Sequence, residues 1–481
     1  MKRPHRTALL LVTLGSMAYV AAGLPGLSEV RGWFYQPVHR GLGEALPLAV
    51  GATLVPALVW LGLARARRRR HGQAVLAFVV AFFAAQLTLV LGDARGLDAA
   101  FRFQHDGHGE MARLAHVHRD ALPEILRDYE TRIARRELGA FTPSKPPGAF
   151  AAYVGVEKLA DALPVERWLG PLVRAARERP EIGEERADTA ALAFVLFPLL
   201  TALALPLVFA LGRSLLGRPE TGHATAVLTL SSPAPLLIQQ HLDGALFPLL
   251  GLAAAVLATH GARRGAHAWT ALGGAIWGGS LYVSFSLLPV VGLALGCVLV
   301  ATARRESARG PAWVGYSAGW HALAFAGGAL LALVLLVQAL DFELGRRLGA
   351  ALDYHAHWKR GVPTGPWRGW ALLELAVYLS FPLAAALLWR AVGDVRRLAT
   401  ERFVPEHLLG VGLLAFLALL GLASGTNEVA RLWLFTVPFV AAAVAAGADD
   451  AARAGRWWVP TGWMAGCQGV VALVLEANMP W

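Results

Sequence analysis

The run Thr142-Pro143-Ser144-Lys145-Pro146-Pro147-Gly148 holds one ammonium group beside two prolines. Proline fixes its own φ and biases the preceding residue towards an extended backbone, so Lys145 belongs to a stiff turn. An ammonium held this way is a good point-charge partner for a phosphate. The same residues also fit an ordinary loop turn with a solvated lysine. The turn lies in a polar segment, 94–187, that carries His, Asp, Glu and Tyr in a chain otherwise made of apolar runs. Any chemistry is expected in that segment.

Other residue types offer weaker signals. His105, His108, His116, His118 and Glu110 lie close together, and His105-Asp106-Gly107-His108 has a conceivable ligand spacing. No helical His-Glu-x-x-His pattern accompanies it, and polar loop residues are usually solvated, so no metal site is expected. Asp243 opens an apolar run, where it either caps a helix or meets a substrate. Glu428 and Arg431 stand three apart at another span boundary, so they can pair with each other or bind a ligand. His355 and His357 fall in a second polar loop, with no physical reason to prefer a functional role over exposure.

The elements that must position these groups follow from pattern. Between Asp120 and Gly139, residues Leu122, Ile125, Leu126, Tyr129 and Ile133 recur at helical spacing, with Pro123 in the first turn. Asp120 is the expected cap and Gly139 the expected stop. The opposite face carries Arg127, Asp128, Arg132, Arg135 and Arg136, so this helix should lie along a membrane surface. Two further amphipathic stretches are expected at about Gly148–Leu163 and Val165–Arg179.

Composition sets the class. Of 481 residues, 56% are hydrophobic and 16% charged, and the mean hydropathy is +0.49. A soluble chain would be about one quarter charged. Apolar runs recur at roughly 8–24, 46–64, 74–92, 188–211, 224–240, 243–260, 268–285, 286–303, 318–340, 369–389, 408–423, 431–447 and 458–476. The expected fold is all-α, a polytopic transmembrane helical bundle of about 13 spans, with 11 as the alternative count. Its parts are three spans over 1–93, an extracytoplasmic loop over 94–187, and the remaining bundle over 188–481. The run 224–240 is interrupted by Ser231, Ser232, Pro233 and Pro235, and should be broken or re-entrant, with protein covering its freed backbone groups.

The net charge of +11 encodes topology. Arg65, Arg67–Arg70, Arg213, Arg218, Arg263, Arg264, Arg304, Arg305, Arg309, Arg390, Arg396, Arg397, Arg453 and Arg456 fall in short loops on one side of the alternating spans. Such loops mark the cytoplasmic face and argue against nucleic-acid binding. Lys2, Arg3 and Arg6 put the N-terminus there too, with Ala8–Ala22 as an uncleaved first span. Trp313, Trp320, Trp367, Trp370, Trp457 and Trp458 sit near span ends as an interfacial belt. Cys297 and Cys467 lie in apolar runs as small hydrophobes.

Leu126-Arg127-Asp128-Tyr129, upstream of Lys145-Pro146-Pro147-Gly148, resembles a pattern in bacterial membrane glycosyltransferases of the GT-C class. Many of those carry Thr-His-Pro-Pro-Gly, whereas the aminoarabinose and related lipid-linked-sugar transferases have a Lys-Pro motif, and Ser144-Lys145 leans to the second group. Gln240-His241-Leu242-Asp243-Gly244-Ala245-Leu246 and Asn427-Glu428-Val429-Ala430-Arg431-Leu432-Trp433-Leu434-Phe435 are similar to later stretches of the same enzymes. The resemblance implies a GT-C-like fold in a bacterial inner membrane. It also implies transfer of a sugar from a polyprenyl-phosphate donor to a lipid, glycan or protein acceptor on the outer face. No tightly bound cofactor is implied. Lys145 matches the donor-phosphate lysine, with Tyr129, Asp243, Glu428 and Arg431 as the further substrate-binding set. The acid that serves as base falls at Asp93, where the third span leaves the membrane, with Asp106, Asp128 and Asp120 as rivals. Gly92-Asp93-Ala94-Arg95 stands where the family has an Asp-Glu pair.

Two other classes fit the same chain. A transporter or lipid flippase would distribute polar groups along inner helix faces and show inverted repeats. A catalytically inactive relative would explain the absent acidic pair.

Overall fold

A computed structural model describes residues 3–22, 42–92, 96–102, 109–140, 142–237, 241–358, 364–400, 407–423, 434–446 and 457–478. Among the described residues the chain is all-helical, with no strand. The first group is α1 (Arg3–Ala21), α2 (Leu42–Arg67) and α3 (His71–Leu91). A polar segment of short helices follows: α4 (Leu97–Arg102), α5 (Gly109–Val117), α6 (Leu122–Arg127), α7 (Tyr129–Ala134), α8 (Pro147–Ala162) and α9 (Val165–Arg177).

The rest is again apolar. It comprises α10 (Ala187–Leu203), α11 (Leu205–Leu216), α12 (Pro219–Leu230), α13 (Pro233–Leu237), α14 (Leu242–Arg264), α15 (His267–Ser280) and α16 (Val290–Glu306). Then come α17 (Pro311–Leu340), α18 (Leu344–Trp358), α19 (Thr364–Leu379), α20 (Phe381–Thr400) and α21 (His407–Ala423). Helices Val437–Ala446 and Trp458–Asn478 close the described chain.

Among the described residues, six helical segments are long and apolar enough to cross a membrane: His71–Leu91, Glu184–Leu216, Gly244–Arg264, Phe285–Arg309, Pro311–Leu340 and Trp458–Leu475. The expected run 369–389 is not one straight span. Ser380, at φ 72, bends α19 against α20 by 107°. Only 17% of the apolar window of α17 is buried, so Leu330, Leu331 and Leu335 offer an apolar face of the kind lipid would cover. Its inner face meets α15 through glycines: a Cβ at Gly274 would run into the Phe325 carbonyl, and one at Gly328 into that of Ala271. Small residues let the two backbones approach this closely.

The broken run 224–240 behaves as its serines and prolines predict. Helix α12 ends at Leu230, and α13 restarts at Pro233. Neighbouring helices cover the gap. Gln468 donates to the Leu228 carbonyl (3.2 Å) and to Ser232 Oγ (2.8 Å), while Ser231 donates to Gln468 Oε1 (3.1 Å). Gln86 of α3 donates to the Pro235 carbonyl at 2.8 Å. All these side chains are buried, where an unmet carbonyl would be costly.

The polar segment has cores of its own. Met111, Ile125, Tyr129, Leu138, Phe150 and Tyr153 pack on Phe197 of α10 and on Leu242 and Ala245 of α14. A second cluster joins Phe101, Val165, Val173 and Ile182 to Phe194. The segment is therefore clamped onto the bundle, and α8 and α9 fall where their amphipathic patterns predict. The stretch 120–139 departs from expectation. In place of one helix there is a 3-10 turn (Arg119–Ala121), then α6, then α7. Asp120 is exposed and caps nothing, and helix ends at Ala134, short of Gly139. Asp128 forms the joint at φ −104, ψ 19; aspartate competes for backbone groups and suits helix interiors poorly.

Candidate functional site

The Lys145 turn is built from both sides in sequence. Thr142 Oγ1 donates back to the Leu138 carbonyl, and the Lys145 N–H donates to the Thr142 carbonyl at 2.9 Å. Pro146 is extended (φ −69, ψ 159), and Pro147 opens α8, where its missing N–H costs nothing. Gly148 then donates its N–H to the Tyr282 carbonyl at 2.8 Å. A Cβ at 148 would collide with that carbonyl, so glycine is required by the close approach. The turn is thereby bolted to the connection between α15 and α16.

Three side chains hold it from above and below. Tyr129, buried, donates its hydroxyl to the Lys145 carbonyl at 3.3 Å. Arg347 of α18, 2% exposed, donates to the Pro143 carbonyl and pairs through Nη1 with Glu130 at 2.8 Å. Tyr354, on the same face of α18 seven residues after Arg347, donates to the Ala140 carbonyl at 2.5 Å. Helix α18, in the second polar loop, thus packs on the first. Tyr282 stacks edge-on against Phe342 at 5.1 Å between ring centres, and its buried hydroxyl has no hydrogen-bond partner among the described residues.

Burial raises the pKa of both phenols. Tyr282 is pushed up to about 12. Tyr129 is raised by burial, with Arg347 opposing and Glu130 and Tyr282 reinforcing the shift. Both therefore stay protonated at neutral pH, and Tyr129 acts as a donor. The Arg347 guanidinium and the Tyr129 phenol are spent on the carbonyls of one rigid turn, the turn that carries the Lys145 ammonium. An ammonium held on such a turn suits an oxyanion or phosphate ester.

Of the sequence candidates, the structure brings Tyr129 and Lys145 into contact and leaves Asp128, beside them, exposed. Asp93, Asp106, Glu428 and Arg431 lie outside the described residues, as do His105 and His108. Asp243 is the second residue of α14, whose cap position is His241 and not the expected Asp243. Its neighbours Leu242 and Ala245 belong to the same apolar cluster as Tyr129. His355 and His357 are on α18, beyond Arg347.

Of the histidines expected to be solvated, His116 has a structural role. His116 lies between Glu157 (Nδ1 to Oε2, 3.0 Å) and Glu185 (Nε2 to Oε2, 3.4 Å), and Thr189 donates to Glu157 at 2.9 Å. Burial and the nearby Arg132 lower the pKa of His118. Glu110 accepts the Ala140 N–H at 2.9 Å. Among the described residues no group of three His, Cys, Asp or Glu side chains is placed to hold a metal.

Sequence reasoning passed over Arg347, Tyr282 and Glu157. Glu157 did leave a signal, because it continues the buried stripe Phe150, Tyr153, Val154 at i+7, where a carboxylate needs partners. Arg347 and Tyr282 left none, being distant in sequence from the turn they serve.

Comparison with protein-family models, curated proteins and solved structures finds no match to this chain.

Proposed function

We propose that this chain is an integral membrane glycosyltransferase. It transfers a sugar from a polyprenyl-phosphate donor to a lipid, glycan or protein acceptor on the extracytoplasmic face. The reading rests on the resemblance of Leu126-Arg127-Asp128-Tyr129 and Lys145-Pro146-Pro147-Gly148 to GT-C enzymes. One structural observation supports it most: Tyr129 and, from the second polar loop, Arg347 brace the Lys145 turn by donating to its carbonyls. The proposal carries a GT-C-like topology of about 13 crossings, with a cytoplasmic N-terminus and a bacterial inner-membrane location.

In this account Lys145 neutralises the donor phosphate, and Arg347, through the Pro143 carbonyl, keeps the turn in place. The acceptor hydroxyl attacks the sugar C1 as the C1–O bond to phosphate breaks. The bonding pair leaves on the polyprenyl phosphate, and the hydroxyl proton passes to a carboxylate. Positioning and charge stabilisation at the departing phosphate lower the barrier. Asp93, Asp106 and Asp128 are the carboxylates proposed for the proton. Asp243, Glu428 and Arg431 are proposed to line the substrate path.

Transfer of radiolabelled sugar from a panel of polyprenyl-phosphate donors to lipid extract, in proteoliposomes, tests this. Activity in the wild type that is lost on Asp93→Asn, Asp106→Asn or Asp128→Asn identifies the base. Donor binding without transfer across the panel would favour the inactive relative. Movement of the lipid-linked sugar across the bilayer without transfer would favour a flippase.

A further inference from the structure

The opposite end of the bundle carries a second, independent arrangement of charge. Helices α11, α14 and α16 end side by side, and each belongs to a segment long and apolar enough to span a membrane. Helices α11 and α14 are closed by left-handed glycines, Gly217 at φ 77 and Gly265 at φ 70. Arginines from neighbouring helices fold over these ends. Arg263 donates to the Arg213 carbonyl at 2.9 Å, and Arg304 donates to the Leu215 carbonyl at 3.3 Å. Arg305 donates to the Ala262 carbonyl.

The guanidinium groups converge above Gly217. A point one Cβ length from that glycine lies 3.4 Å from Arg304 Nη2 and 3.8 Å from Arg263 Nη2. Arg213 and Arg264 complete the group, and all three neighbours are close enough to Arg263 to repel its charge. Among the described residues no carboxylate lies within ion-pair distance of Arg213, Arg263 or Arg264. The nearby Glu306 is occupied by Arg305 (2.8 Å) and Arg309 (3.1 Å).

Helix ends account for only part of this charge. Each C-terminus presents roughly half a negative charge, so three ends offset about half the charge of Arg213, Arg263 and Arg264 alone. The carbonyl contact of Arg263 uses one of its five guanidinium donors. Arg213, Arg263 and Arg264 are exposed and Arg304 half-buried, at the level where spans of this length meet the headgroup layer.

We propose that Arg213, Arg263, Arg264 and Arg304 form a binding site for a phosphate group at the joined ends of α11, α14 and α16. The chemistry fits the phosphodiester of an anionic lipid headgroup and equally a free phosphate. It is independent of what the Lys145 turn binds.

The test uses the full chain in neutral detergent, with thermal unfolding followed on adding phosphatidylglycerol, phosphatidylcholine or inorganic phosphate. Phosphatidylglycerol should raise the midpoint saturably and phosphatidylcholine should not. The Arg263→Gln/Arg304→Gln double variant should need roughly 30-fold more phosphatidylglycerol, at about a factor of five per arginine. Arg396→Gln/Arg397→Gln, which removes the same charge from exposed residues of α20, should bind as the wild type does. A saturable shift with inorganic phosphate alone, lost in the first double variant, would place the site's ligand in solution. Equal weakening in both doubles, or no shift with either phosphate, would overturn the proposal. Should the first double variant fail to fold, Arg264→Gln, whose side chain caps no helix, must still weaken binding about five-fold.

Discussion

Replacing Arg347 by methionine should unfasten the Lys145 turn without unfolding the bundle. The side chain is 2% exposed and makes two charge-assisted contacts, one to the Pro143 carbonyl and one to Glu130 at 2.8 Å. Hydrogen bonds to a charged group are worth about 1.5–3 kcal/mol each, and breaking a fully buried pair costs about 3–5. Glu130 is 35% exposed, so solvent reclaims part of its share. A local destabilisation of about 3 kcal/mol is the reasonable figure, and it corresponds to roughly 150-fold faster opening. Hydrogen exchange reads this directly, since the Lys145 amide is bonded to Thr142 and the Gly148 amide to Tyr282. Peptides covering 142–150 should exchange about two orders of magnitude faster in Arg347→Met. Those covering α14 and α16 should keep wild-type rates. Arg347→Lys, with the charge but not the fork, should fall between. Unchanged exchange over 142–150 would refute the claim that the second polar loop holds the turn.

Three further outcomes follow from the same geometry. Gly148→Ala should lower the thermal midpoint by the equivalent of about 1–3 kcal/mol, because the new methyl must displace the Tyr282 carbonyl. Gln468→Leu should cost about 1–2 kcal/mol in a denaturation series, since it removes three buried side-chain hydrogen bonds to Leu228, Ser231 and Ser232 at the α12–α13 break. Tyr282, with its pKa raised to about 12, adds stability that is complete below pH 10 and lost as pH rises towards 12. Over that window Tyr282→Phe should lose less stability than the wild type, and parallel curves would contradict it.

Hydropathy makes most of the helices legible, because an apolar run long enough to span is also long enough to be a helix. The break at Ser231–Ser232 was legible too, since prolines 233 and 235 fit the first turn of a restarted helix, where their missing N–H groups cost little. The bend at Ser380 was not. It depends on one residue at positive φ, which an averaged hydropathy run of 369–389 cannot register. The turn at Lys145 announces itself locally through proline and glycine chemistry. Its fastening does not, because Arg347 and Glu130 are 217 residues apart and no periodicity links them. The joint at Asp128 was concealed for another reason. Ile125 and Tyr129 keep helical spacing on either side of it, so the pattern reads as one continuous helix.

The most direct test of the central claim is the affinity of the full chain, in lipid nanodiscs, for a polyprenyl monophosphate, compared between wild type and Lys145→Ala. Loss of one charge-assisted phosphate contact, about 1.5–3 kcal/mol, predicts binding weaker by roughly 10- to 150-fold, with wild-type thermal stability retained. Equal affinity in the two proteins would contradict the assignment of this turn to the donor phosphate.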